Sequence, residues 1–132
     1  MSNDIEQQIK TKGLTAPRIT PADIEANIAS EHYFTALDGA TAQGDEVQQV
    51  WHDDKDYGTE RVPLGLLTFC VLVLRNGFTV TGESACASPE NFDAEIGRQI
   101  ARQNAVAKVW PLMGYELRSK LHQESQFGGS NE

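Results

Sequence analysis

Apolar residues along this chain follow more than one rhythm. From Leu66 to Leu74 they run almost without a break, interrupted at Thr68. A short continuous run of this kind predicts a central strand covered on both faces. Arg75-Asn-Gly-Phe78 comes next, and its Asn-Gly pair predicts a type I′ hairpin, because both residues tolerate the positive φ angles of that turn. Phe78 to Ser84 then alternates and predicts the returning strand. Beyond it the spacing becomes four. Phe92, Ile96 and Ile100 predict the buried stripe of a helix, flanked by Gly97, Ala101 and Ala105, whose small size permits close approach to a sheet or another helix. Ser88 as cap, Pro89 in the first turn and Glu90 near the positive end place the start of that helix at Pro89 and its end near Lys108. Pro111 ends or kinks it. Tyr115 to Gln123 reads as a last short helix with Leu117 and Leu121 inward, and 123–132 as a disordered tail.

The first half is patterned more weakly. Asp4 to Lys12 predicts a short helix with Ile5 and Ile9 on one side and Gly13 as its stop, too short to stand undocked. Thr20-Pro-Ala-Asp23 marks a clearer start, with Thr20 as cap and Ile24 and Ile28 as an apolar edge. Ser30 to Leu37 turns aromatic and β-branched, which predicts a strand or extended segment. Asp38 to Thr59 holds three glycines and six acids and predicts a long loop, or a loose hairpin around Val47–Trp51. The expected fold is α+β, with an antiparallel sheet built on the central hairpin and packed by one long and several short helices. Residues 1–18 form an arm or short helix, 19–122 a single domain with an acidic loop at 38–60, and 123–132 the tail.

Charge narrows the function. The net charge of -8 belongs to residues 1–60, which carry 12 acidic and 4 basic side chains, whereas 61–132 is neutral. Nucleic-acid binding through phosphate neutralisation is disfavoured, because the molecule repels a polyanion. A small anion senses local donors more than net charge. No run is long and apolar enough to span a membrane, and the amino terminus lacks the basic-then-apolar pattern of a secretion signal. Two distant cysteines without a CxxC predict neither disulfide framework nor zinc site, and fit a reducing cytoplasm.

Candidate chemistry is sparse. His32, His52 and His122 fall in separate segments without an HxxxH-type spacing, so no metal and no cofactor is expected. Gly82-Glu-Ser-Ala-Cys86 lacks the second glycine of a nucleophile elbow, and Cys86 has no base nearby in sequence. Convergent polar groups remain. Asn91, Glu95, Arg98 and Arg102 share one helix face by spacing. They form either a solvated, salt-bridged surface, with Glu95 pairing to Arg98 or Arg102, or a pair of guanidinium forks ready for a phosphate. Asn104 continues the series 92, 96, 100, so its amide must bond either backbone or a ligand's base or ribose. Trp110, Tyr115, Phe78 and Phe34 are core residues or stacking platforms. At the strand-to-helix knuckle, Gly82 admits close backbone approach, Ser84 offers a hydroxyl, and a helix opening at Pro89 presents free amides to an anion.

Several elements occur together: Ile19-Thr-Pro-Ala-Asp-Ile24, Ser30-Glu-His-Tyr-Phe34, Leu66 to Cys86, Pro89-Glu-Asn-Phe-Asp93, Gly97 to Ala105 and Trp110-Pro-Leu-Met-Gly-Tyr-Glu-Leu-Arg118. In combination, over about residues 19–122, they resemble a family of small tailed-phage proteins similar to the first class of Thoeris anti-defence proteins. Those are oligomeric sponges for the cyclic ADP-ribose isomers made by TIR-domain immune enzymes. Some also hold cyclic oligonucleotides of a cGAS-like pathway at separate sites. The resemblance implies sequestration without turnover, hence no enzyme, by a homo-oligomer with the ligand near a subunit interface, in the cytoplasm of the infected bacterium. Chemistry at matched positions gives the expected ligand-binding set: Phe78, Ser84, Asn91, Phe92, Arg98, Arg102, Asn104, Tyr115 and Arg118. The rival reading is an acidic protein-binding module that blocks a host factor; a third is a nucleotide-processing enzyme.

Overall fold

A computed structural model describes residues 3–44 and 63–128. In chain order the elements are α1 (Asn3–Thr11), α2 (Pro21–Ala26), β1 (Ile28–Thr35), α3 (Ala36–Ala42), a 3-10 turn (Pro63–Leu66), β2 (Leu67–Leu74), β3 (Thr79–Ala85), a second 3-10 turn (Pro89–Asn91) and α4 (Ala94–Gly128). The fold is α+β, as the patterning predicts. The chain divides into two compact units, Met1–Asn27 with Val109–Glu132, and Ile28–Lys108.

In the first unit, Thr20 and Asp23 cap α2 reciprocally: the Asp23 amide donates to Thr20 Oγ1 at 3.1 Å and the Thr20 amide to the Asp23 carboxylate at 2.9 Å. Ile24 is fully buried behind this cap. Arg18 donates both terminal nitrogens to Glu6, at 3.2 and 2.9 Å, tying the segment after α1 back to that helix.

The second unit holds the sheet, in order β1-β2-β3 with both pairings antiparallel. β2 is central, as its apolar run predicts. Thr68, Cys70, Leu72 and Leu74 on one face are buried, and Leu67, Phe69, Val71 and Val73 on the other are half-covered. The hairpin forms where expected, but not as a type I′ turn. Among the described residues none other than glycine has a positive φ, so Asn76 stays out of the left-handed region. Gly77 donates to the Leu74 carbonyl at 2.9 Å and itself takes φ +89°, the arrangement of a three-residue loop ending in a left-handed glycine. Asn76 Oδ1 accepts from the Phe78 amide at 2.9 Å, which makes this turn competitive without a second positive φ.

Other boundaries also differ. Ala36–Ala42 is helical, where an extended segment was expected to Leu37 and a loop from Asp38, because Thr35 and Asp38 form a second reciprocal cap. The expected hairpin around Val47–Trp51 lies outside the described residues. Ser88-Pro89 opens only the 3-10 turn, without a side-chain cap, and Phe92 leaves it extended. α4 begins at Ala94, where Asp93 Oδ1 accepts from the Ile96 amide at 3.0 Å. It then continues through Pro111 to Gly128, so neither a break at Pro111, a separate helix from Tyr115, nor a disordered start to the tail at 123 is found. Pro111 removes one hydrogen bond, and its place in a helix shows that the rest of the element outweighs a local cost of about 3 kcal/mol.

The largest correction concerns which side of α4 is buried. The stripe predicted from Phe92, Ile96 and Ile100 is not the core-facing one: Ile96 is 55% and Ile100 41% exposed. Gly97, Ala101, Ala105 and Val109 are buried instead. Within the second unit the reason is Gly82. A Cβ there would overlap the Ala101 carbonyl oxygen and the Ala105 backbone, so the helix backbone lies directly on β3. Isoleucines do not fit so narrow a gap; only the small face does.

Candidate functional site

Displacing the isoleucines from the interface leaves a cavity of about 280 Å³ at the strand-to-helix knuckle. Leu66, Thr68 and Ser84 of the β2–β3 end form one wall and Ile96, Gly97 and Ile100 of α4 another. The knuckle itself, from Ala85 to Ala87, and the turn Asn91-Phe92-Asp93 complete it. Its position follows from the local sequence. Asp93 caps α4, Phe92 is held extended before it, and the Cys86 amide donates to the Leu66 carbonyl at 2.9 Å, fixing the strand exit.

A smaller cavity of about 120 Å³ shares Thr68 and Phe92 with the first. Tyr33, Phe34 and Thr35 of β1, Asp38 of α3, and Ala94 and Arg98 of α4 make the remainder. Arg98 brings a guanidinium to its rim, and Asp38 an acid. The pair therefore offers an apolar compartment with hydroxyl and amide groups beside a smaller one with a cation.

Beside them is a polar network. The Tyr33 hydroxyl donates to Glu31 Oε1 at 2.9 Å and Arg102 Nε donates to Glu31 Oε2 at 3.1 Å. The Tyr33 hydrogen bond, with help from Arg102, holds the Glu31 carboxyl below its ordinary 4.5 against the opposing effect of burial. Burial first, and then Glu31, pushes the Tyr33 hydroxyl above its ordinary 10.0. Burial likewise raises the Cys70 thiol, opposite Tyr33 in the register, which makes it a poor nucleophile.

The nine expected ligand residues are thus distributed unevenly. Ser84, Asn91 and Phe92 line the knuckle cavity, and Arg98 lines its neighbour together with Phe92. Asn91 lies in the 3-10 turn, so it does not share a helix face with Arg98 and Arg102. Arg102 reaches Glu31 on β1. Asn104 is exposed rather than on a buried edge, and its Nδ2 donates to the Glu83 carbonyl at 2.7 Å, latching α4 to β3. Phe78 stands 56% exposed beside the hairpin turn. Tyr115 and Arg118 are exposed residues of the other unit. Sequence reasoning missed Thr68, Ile96 and Ile100 as cavity residues. Gly82, opposite a Gly-x-x-x-Ala-x-x-x-Ala series, carried the signal for the last two.

A three-stranded antiparallel sheet with a long carboxy-terminal helix defines a small α+β protein, and among the described residues no helix is long and apolar enough to cross a membrane. The chain belongs to the phage protein (N4 Gp49/phage Sf6 gene 66) family, whose model matches residues 19–121. No curated protein and no solved structure matches it.

Proposed function

We propose that this phage protein binds a small cyclic nucleotide of host immunity, a cyclic ADP-ribose isomer, and sequesters it without cleaving it. The observation that carries this reading is the paired cavity. Phe92, Ile96 and Ile100 offer apolar contact to a ring, Ser84 and Asn91 offer hydrogen bonds, and Arg98 supplies a cation for a phosphate. At about 280 Å³ the larger compartment is close to the lower end of ligand pockets, roughly 300 Å³. The resemblance to Thoeris anti-defence proteins implies the same ligand class, and membership of a phage protein family fits a role in the infected host. The protein acts as a homo-oligomer in the cytoplasm of the infected host, where such signals are made, and some members' second ligand class, cyclic oligonucleotides, is a further candidate.

The test is incubation with cyclic ADP-ribose isomers and cyclic oligonucleotides, native mass spectrometry of the complex, and chromatography after heat release. The expected result is a stoichiometric adduct from which the nucleotide returns unchanged. Linearised product at many turnovers would establish an enzyme, and the absence of any adduct would leave the acidic first half, as a protein-binding surface, the better reading.

A further inference from the structure

Thr68 stands out among the described residues as a buried polar side chain with nothing to bond. It is 3% exposed, and no hydrogen bond joins its hydroxyl to a described residue. It lines both the 280 Å³ and the 120 Å³ cavities. On the helix side Gly97 offers it no side chain: a Cβ added there would lie 3.1 Å from Thr68 Oγ1. In the register of the sheet Thr68 faces Thr35 on one side and Ser84 on the other, each a lining residue of one of the two cavities.

Buried hydroxyls in folded proteins are almost always hydrogen-bonded, because stripping one of water without compensation is costly. A valine fills the same space on a buried strand without that cost and suits β2 equally well. An unpartnered threonine at this position therefore points to a partner that arrives from the cavities. We propose that Thr68 is a ligand-contacting residue of the nucleotide site, whose hydroxyl bonds a sugar hydroxyl or phosphate oxygen lying between the Phe92–Ile100 compartment and Arg98. This assignment deepens the nucleotide-binding reading and rests on it for the identity of the ligand. The hydroxyl serves as donor to a phosphate oxygen and as donor or acceptor to a ribose hydroxyl.

Thr68→Val and Thr68→Ser test it in the full-length protein, each titrated calorimetrically with a cyclic ADP-ribose isomer and melted without ligand. Thr68→Val is expected to bind at least about tenfold more weakly, the scale of a lost hydrogen bond to a polar or charged group, while melting no lower than the wild type. Thr68→Ser, which keeps the hydroxyl, recovers most of the affinity. Wild-type affinity in Thr68→Val overturns the assignment. So does a lower melting temperature for ligand-free Thr68→Val, since it shows that the hydroxyl already has a partner inside the fold. A wild-type protein that binds no cyclic nucleotide sinks the nucleotide reading instead. In that case the ligand-free melting curves alone decide whether Thr68 waits for an acceptor of another class.

Discussion

The two faces of α4 between Ala94 and Lys108 have exchanged the roles that hydrophobicity assigns them. Gly97, Ala101 and Ala105, the weakly apolar face, are buried against the sheet, while Ile96 and Ile100, the strongly apolar face, stand half in solvent and line a cavity. Burial of an isoleucine contributes about 1.5–3 kcal/mol, so this arrangement forgoes the apolar burial that the reverse orientation offers. Gly82 explains how the small face competes. It lets helix backbone rest on strand backbone, with dense contact and an Asn104–Glu83 latch at 2.7 Å. Close packing of the small face frees the large one, and in this fold Ile96 and Ile100 line the knuckle cavity instead.

Breaking the close contact should have the largest effect. Gly82→Val forces a branched side chain into the Ala101 and Ala105 backbone, and is expected to lower stability by about 3 kcal/mol or more in urea unfolding. A mutant within about 0.5 kcal/mol of wild type would show that the helix can move off β3 at little cost. Asn104→Ala removes the latch alone and should cost about 1 kcal/mol. Because the amide bonds backbone, the increment in melting temperature added by a nucleotide should stay as in the wild type. Loss of that increment would restore Asn104 to the ligand site.

The exposed face should behave in the opposite way. Ile100→Ala is expected to change stability by only about 0.5 kcal/mol yet weaken nucleotide binding about tenfold, the scale of burying one apolar side chain. A large stability loss with binding intact would return Ile100 to the core.

The smallest effect concerns the network flanking the helix. The folded-state pKa of Glu31 is lowered, so its contribution is present above the ordinary 4.5 and is lost as pH falls below it. The Tyr33 hydroxyl is shifted upward, so its contribution is present below 10.0 and fades as pH rises beyond. Denaturation of Glu31→Gln across pH should therefore show a shallower acid loss than wild type, most visible below pH 4.5. Parallel wild-type and mutant curves in that range would remove Glu31 from the acid response.

Much of the fold was legible because local chemistry determined it. The β2 run, the Asn-Gly turn site and the Thr20-Pro-Ala-Asp23 cap each act over a few residues, and each forms where the sequence places it. The Thr35-x-x-Asp38 cap was equally readable, but the glycines and acids that follow it hid the short helix. What escaped has two causes. The turn type and the helix start turn on a competition between neighbouring residues, Asn76 bonding Phe78 and Asp93 capping in place of Ser88, whereas the buried face of α4 depends on a glycine one strand away. The candidate site follows the same division. Ser84, Asn91 and Phe92 come together because the knuckle is local, whereas Arg102 and Asn104 are drawn to Glu31 and to the Glu83 backbone by tertiary packing.

Methyl-labelled spectra of the isoleucines, recorded while a cyclic ADP-ribose isomer is added, address the link between the exposed face and the ligand most directly. Saturable shifts at the Ile96 and Ile100 methyl groups are expected, at the concentrations where the complex forms by mass spectrometry. Formation of the complex with both signals unmoved would mean that the knuckle cavity is not where the nucleotide binds.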